Sequence, residues 1–178
     1  AFVYHGSDSG LSTIPNWSGE SNQGSAQFGY SVGTSGDVNG DGYSDVIIGA
    51  PYYDNGQAYE GGAFVYHGSD SGLSINPEWS AEGNQLYAYF GWSVATAGDV
   101  NGDGYSDVII GATGFSNGQT QEGRTSLYHG SSSGLSTVAN WTAESNQSNA
   151  QFGYSVATAG DVNGDGYSDV IIGAPYYD

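Results

Sequence analysis

Nine acidic side chains fall in three copies of one nine-residue pattern, Asp-Val-Asn-Gly-Asp-Gly-Tyr-Ser-Asp, at 37–45, 99–107 and 161–169. Oxygen-bearing side chains recur at positions 1, 3, 5 and 9 of each copy: Asp37, Asn39, Asp41 and Asp45; Asp99, Asn101, Asp103 and Asp107; Asp161, Asn163, Asp165 and Asp169. Alternate spacing turns the odd-numbered side chains inward on a curling loop, glycine at position 6 allows the sharp bend, and the position-7 carbonyl (Tyr43, Tyr105, Tyr167) adds a further oxygen. A hard cation such as Ca²⁺ takes about 6–8 oxygens. Three carboxylates crowded into nine residues repel one another unless a cation lies between them. The pattern therefore predicts three Ca²⁺ per chain. Mg²⁺ suits the loop less well because it demands octahedral geometry and keeps its waters, and Zn²⁺ is disfavoured by the lack of nitrogen and sulfur donors. The bland alternative, an Asx-rich turn without metal, fits one such loop better than three. An EF-hand is excluded, since position 12 is Ile48, Ile110 or Ile172 where that motif needs a bidentate Glu.

The rest of the composition agrees with a cation partner and with few others. The chain of 178 residues carries 19 acidic groups against one basic residue, Arg124, for a formal charge of −18. Such a surface cannot neutralise phosphates or anionic headgroups, so nucleic acid and membrane-surface partners are excluded as expectations. No apolar run approaches the ~20 residues of a membrane span. Three bound Ca²⁺ would take the formal charge from −18 to −12, so much of the acidity reads as a set of metal sites. Catalysis is not expected: the clustered carboxylates belong to the loops, there is no Lys or Cys, and no Ser lies in a nucleophile-elbow context.

The elements that must hold these loops repeat with them every 62 residues. Tyr4-His5-Gly6 matches Tyr66-His67-Gly68 and Tyr128-His129-Gly130; Trp17 matches Trp79 and Trp141; Phe28-Gly29 matches Phe90-Gly91 and Phe152-Gly153. The units are 1–62, 63–124 and a shorter 125–178, and residues 1–54 differ from 125–178 at only 12 positions. That near-identity points to recent amplification or to a designed chain. Within a unit, Phe28–Thr34 alternates as a half-buried strand, Asp45–Ala50 is a β-branched run closed by Pro51, Ala63–Gly68 is a third strand, and a polar fourth surrounds Glu78–Glu82. No stretch has a helical period with caps. Four short strands per unit of about 60 residues, the last one polar, predict an all-β propeller blade.

Phe-Gly ahead of the loop and Gly-Ala-Pro behind it resemble the FG-GAP repeat, the blade of integrin α-subunit propellers and of related bacterial secreted proteins. Phe28-Gly29 with Gly49-Ala50-Pro51 and Phe152-Gly153 with Gly173-Ala174-Pro175 carry the resemblance in order; the middle copy has Gly111-Ala112-Thr113 instead. The resemblance implies four-stranded blades, Ca²⁺ in the loops between first and second strands, an extracellular or cell-surface location, and a role in adhesion or ligand recognition. It does not carry over a ligand, because integrin recognition uses a second subunit and inserted loops.

The phase of the repeat adds an expectation about assembly. The chain opens on a third strand and closes after a second, so its ends are complementary half-blades. Three blades are too few for a ring of the usual four to eight, which predicts either a head-to-tail homodimer of six blades or a fragment of a longer propeller; open edges otherwise invite aggregation. His5, His67 and His129 are expected on separate blades with no shared site. Trp17, Trp79 and Trp141 are expected between blades rather than as sugar platforms, and Trp92 in the core. Tyr52-Tyr53-Asp54, with 55–59, is expected on the face opposite the carboxylate loops, where aromatics and amides suit an extracellular protein or glycan. A lectin-like propeller and a pure self-assembling scaffold are the alternatives to an adhesion module.

Overall fold

The computed structural model describes residues 1–178 as an all-β chain without a helix. In order the strands are β1 (Phe2–Val3), β2 (Gly6–Ser7), β3 (Gly10–Leu11), β4 (Trp17–Ser18), β5 (Ser31–Gly36), β6 (Asp45–Ala50) and β7 (Gly62–Tyr66). They continue as β8 (Trp79–Glu82), β9 (Phe90–Gly98), β10 (Asp107–Ala112), β11 (Arg124–Tyr128), β12 (Trp141–Glu144), β13 (Ser155–Gly160) and β14 (Asp169–Gly173). Strands β5–β8 and β9–β12 form two complete antiparallel blades in chain order. The remainder is two half-blades: β1 pairs with β4 at one end of the chain, and β13 with β14 at the other. A small hairpin of β2 and β3 lies between the first pair.

The apolar second strands anchor this arrangement. Ile47 and Ile48 on β6, and Val108, Ile109 and Ile110 on β10, are buried, as β-branched residues in a strand covered on both faces should be. The main core lies between the two complete blades and joins Val38, Ile47, Val65 and Trp79 to Phe90, Val94, Val108 and Tyr128. A smaller cluster of Ala97, Ile109 and Leu127 faces Val156, Val170 and Ile172 of the last half-blade. Each fully buried Val or Ile contributes roughly 1.5–3 kcal/mol relative to its exposed state. The first strands β5, β9 and β13 stand side by side. There the Ser31 hydroxyl donates to the Gly91 carbonyl and the Ser93 hydroxyl to the Gly153 carbonyl, each at 2.8 Å. The glycine of the Gly-Ala pair is required by this approach: a Cβ on Gly49 or Gly111 would strike the carbonyl oxygen of Gly91 or Gly153.

Two sequence expectations change. The first strand begins at Ser31, not Phe28, because 27–30 form a turn in which Tyr30 N–H donates to the Gln27 carbonyl at 2.9 Å, with positive φ at Gln27 and Gly29. It extends to Gly36 through a bulge after Thr34. Trp92 is half-buried rather than core: its ring lies between Tyr30 and Tyr154, at centroid distances of 4.8 and 5.7 Å, in the turns that lead into the neighbouring first strands. Two of the three recurring tryptophans join successive blades, while Trp141 is exposed. Trp17 donates Nε1–H to the Ser74 carbonyl and sets its edge on Tyr66; Trp79 does the same with Ser136 and Tyr128.

Candidate metal centre and the opposite aromatic face

The antiparallel order places 37–45, 99–107 and 161–169 between first and second strands, all at one end of their blades, while 51–61 and 113–123 follow the second strands at the other end. The three carboxylate loops have one conformation. In the first, Asp37 accepts N–H bonds from Gly40 (2.6 Å), Asp41 (3.1 Å) and Gly42 (2.8 Å), with positive φ at both glycines. Asp41 accepts from Tyr43 N–H at 2.9 Å and from Asn39 Nδ2 at 3.0 Å. The Tyr43 N–H bond and then the Asn39 amide hold the Asp41 carboxyl below its ordinary pKa; Gly166 N–H chiefly does the same for Asp161. Asp99 and Asp103 repeat these contacts in the second loop, as Asp161 and Asp165 do in the third.

The ninth residue differs in surroundings. Asp45 and Asp107 are 0% exposed, and each clamps two segments together. Asp45 accepts from Val38 N–H and Gly68 N–H, both at 2.9 Å, and Asp107 from Val100 and Gly130 at 2.8 and 2.9 Å. Desolvation raises both carboxyls above their ordinary pKa, against the pull of these N–H bonds. Asp169 has the Val162 N–H bond and is only half-buried.

The first two loops are also floored by the next blade unit. Ser106 N–H donates to the Asp37 carbonyl and Ser131 N–H to the Val38 carbonyl, and the Tyr105 ring covers Gly40. Ser168 and Tyr167 do this for Asp99 and Gly102. The donor set suits a hard divalent cation: it is all oxygen, it carries three carboxylates, and no Lys or Arg lies against it. The carboxylates are turned toward backbone N–H groups, and no three His, Asp or Glu side chains converge on one point. The residues that would hold a cation are Asp37, Asn39, Asp41, Asp45 and the Tyr43 carbonyl, and their counterparts in the other loops. The three histidines lie on separate blades; His67 Nδ1 is 3.3 Å from Asn39 Nδ2, at the rim of the first loop.

At the opposite end, where the sequence places 52–59, lies a larger aromatic surface. Tyr52, Tyr59, Tyr87, Tyr89 and Trp92 form a connected series of rings with centroids 5.4–6.4 Å apart, and Tyr30 and Tyr154 meet Trp92 from either side at 4.8 and 5.7 Å. The sequence points to Tyr52 and Tyr59 but not to Tyr87 or Tyr89; Tyr59, Tyr87 and Tyr89 sit at positive φ in loops of neighbouring segments. Two buried glutamates were equally hidden. Glu60 accepts from Asn55 and Gln57 N–H and Glu122 from Asn117 and Gln119 N–H, closing the two loops that follow the second strands. The one basic side chain is already engaged: Arg124 donates to Glu144 through Nε (2.8 Å) and Nη2 (2.6 Å) and stacks 3.8 Å over the Phe115 ring.

Residues 28–66, 90–128 and 152–178 match the FG-GAP repeat, more than half of the chain and in step with its blades. The chain belongs to the FG-GAP repeat family. It is 34% identical over 184 residues to integrin alpha-V of Gallus gallus, covering 97% of this chain and 17% of that protein. Integrin alpha-PS2 of Drosophila melanogaster is 37% identical over 156 residues, 84% of this chain and 10% of its own length. Phosphatidylinositol-glycan-specific phospholipase D of Mus musculus is 35% identical over 159 residues, 85% of this chain and 19% of its own. The FG-GAP segment thus spans less than a fifth of these relatives. No helix is long and apolar enough to cross a membrane.

Proposed function

We propose that this FG-GAP segment is a calcium-binding propeller module for extracellular binding or adhesion. The observation that carries this reading is the identical oxygen-rich loop at the same end of three consecutive blade units, floored in the first two cases by the following blade. A Ca²⁺ bound there would neutralise the loop carboxylates and tie each loop to its blade. The exposed aromatic series at the other end is the ligand-contact face, and integrin relatives favour an adhesion role over the chemistry named for the phospholipase relative. The reading assigns no catalytic group. It includes ring closure with a second copy of the chain, giving six blade equivalents.

Thermal unfolding with and without Ca²⁺ tests the metal assignment. A cation that binds only the folded loops adds about 2.7 kcal/mol per site at a hundredfold excess over Kd. Chelation should lower Tm, Ca²⁺ should restore it more effectively than Mg²⁺, and native mass spectrometry should count three ions per chain. A melting curve indifferent to chelator would sink the assignment. A glycan reading of the aromatic face is favoured by its contiguous rings, of which Tyr59 and Tyr89 are near-parallel at 21°, and it predicts that Tyr59→Ser with Tyr89→Ser abolishes sugar binding on an array.

A further inference from the structure

We propose that a cavity between the two complete blades, opened by Arg124 and Ser126, binds a single neutral sugar residue. At these two positions the middle unit departs from the repeat. Sixty-two residues earlier stand Gly62 and Phe64. In that blade the Phe64 ring packs against Phe28 and Tyr53, at centroid distances of 5.7 and 5.4 Å. A Cβ on Gly62 would crowd the Phe64 ring at 3.1 Å. Glycine and phenylalanine are therefore a matched pair, and arginine fits at the first position once the ring is gone from the second. The following blade makes both changes together. Phe90 and Phe115 keep the places of Phe28 and Tyr53, but the third member of the group is the small, polar Ser126.

The exchange leaves a partly enclosed cavity of about 210 Å³, bounded by Phe90 and Phe115 and by polar groups from both blades. Several of these polar groups have unused hydrogen-bonding capacity. Ser126 and Tyr128 are each 6% exposed, and neither hydroxyl meets a partner within the protein, although buried hydroxyls ordinarily do. Arg124 places Nε and Nη2 on one oxygen of Glu144, which leaves Nη1 without an acceptor. Across the cavity Glu82, from the outer strand of the preceding blade, accepts from Asn55 Nδ2 at 2.7 Å through Oε1 and has Oε2 open.

This mixture selects the occupant. Hydroxyl, guanidinium and carboxylate groups side by side can donate to and accept from the hydroxyls of a sugar, while the two phenylalanine rings meet its C–H faces. An anion is disfavoured because Glu144 already neutralises the one guanidinium and Glu82 adds a negative charge; a cation is disfavoured by Arg124 in the wall. An apolar molecule would leave the buried hydroxyls unpaired. The volume is below the roughly 300–1,000 Å³ of a drug-sized site, which limits the occupant to one ring. No residue of the aromatic series at the loop end lines this cavity, so the proposal goes beyond the glycan reading of that face and depends neither on it nor on Ca²⁺.

The test is saturation-transfer difference NMR of the 178-residue chain with the methyl glycosides of glucose, galactose, mannose, fucose and N-acetylglucosamine, followed by calorimetric titration of any that respond. At least one should bind with a Kd below about 10 mM. Arg124→Gly with Ser126→Phe reinstates the pair of the preceding blade, so this variant should melt no lower than the parent and bind at least about tenfold more weakly. Tyr128→Phe removes one hydroxyl, keeps the ring, and should weaken binding roughly three- to tenfold. Tyr59→Ser with Tyr89→Ser should leave it unchanged. A glycoside that is lost in the Tyr59, Tyr89 variant but kept in the Arg124, Ser126 variant belongs to the aromatic face and overturns the cavity site. Silence from every glycoside at about 10 mM overturns it as well and marks the cavity as holding water alone. Binding of acetate or glycine in their place overturns the sugar assignment.

Discussion

Trp79→Ala is the most direct probe of how the blades are joined. The indole is 8% exposed, donates Nε1–H to the Ser136 carbonyl at 2.9 Å, and meets the Tyr128 ring edge-on at 4.9 Å. Truncating a buried aromatic to alanine costs roughly 3–5 kcal/mol, including the cavity left behind. About 1 kcal/mol of that is the hydrogen bond and about 0.5–1.5 kcal/mol the aromatic pair. With a urea m-value near 2 kcal/mol/M, a loss of about 4 kcal/mol lowers the midpoint by about 2 M. Trp79→Phe keeps most of the apolar area and should cost about a third as much. Urea titration followed by far-ultraviolet circular dichroism, in chelator so that cations do not contribute, reads both. A midpoint change below about 0.5 M for Trp79→Ala would refute the claim that the outer strand of one blade is fastened to the next through this side chain.

Two further outcomes follow from buried polar groups. Glu122→Ala removes the acceptor for Asn117 and Gln119 N–H and should cost about 2–3 kcal/mol in urea unfolding, whereas Glu122→Gln, which keeps an acceptor and removes a buried charge, should cost less than about 1 kcal/mol. Burial raises the Tyr128 and Tyr66 hydroxyls above the ordinary tyrosine value, opposed at Tyr128 by the Arg124 charge. An acid whose folded pKa is raised contributes stability that is intact below the unfolded value near 10 and is lost as pH rises through the folded pKa. Stability should therefore fall in the alkaline range, and Tyr128→Phe should flatten that fall, read by unfolding at stepped pH and by absorbance at 295 nm.

The periodic signals were legible because one physical cause acted on each. The β-branched run Asp45–Ala50 has to be buried on both faces, so its position as a second strand follows from residue type alone. The 62-residue repeat then carries that assignment to β10 and β14. The start of β5 was not legible, because Phe28 and Tyr30 look like strand residues; the turn at Gln27 and Gly29 depends on the loop after β6 and on the Gly49 carbonyl that accepts from Gly29 N–H at 3.0 Å. Trp92 was misplaced for a similar reason. Its size suggests core, but the neighbours that half-cover it, Tyr30 and Tyr154, come from turns before the first strands, 62 residues away on either side. Nothing in residue type or spacing marks Glu60 and Glu122 for burial, which depends on the loops folding back and aiming backbone N–H groups at them.

The carboxylate loops were legible in composition but not in their dependence on neighbours. A nine-residue pattern suggests a self-contained site, yet Asp37 is held partly through Ser106, Val38 through Ser131, and Gly40 lies beneath Tyr105, all of the next blade. Asp45 and Asp107 are sealed by glycine N–H groups on the hairpin after the third strand of their own blade. A loop thus keeps its conformation by its own hydrogen bonds but is fully enclosed only where a third strand and a following blade unit cover it. Stability in such an array is a sum of unit and nearest-neighbour terms, so the units should be unequal although their sequences are nearly the same. The gradient is visible at the ninth position: Asp45 and Asp107 are fully enclosed, while Asp169, with neither third strand nor successor in its own chain, is left half open. Near-identical loops therefore differ in what holds them, and in this 178-residue chain the third should be the weakest cation site and the first to open.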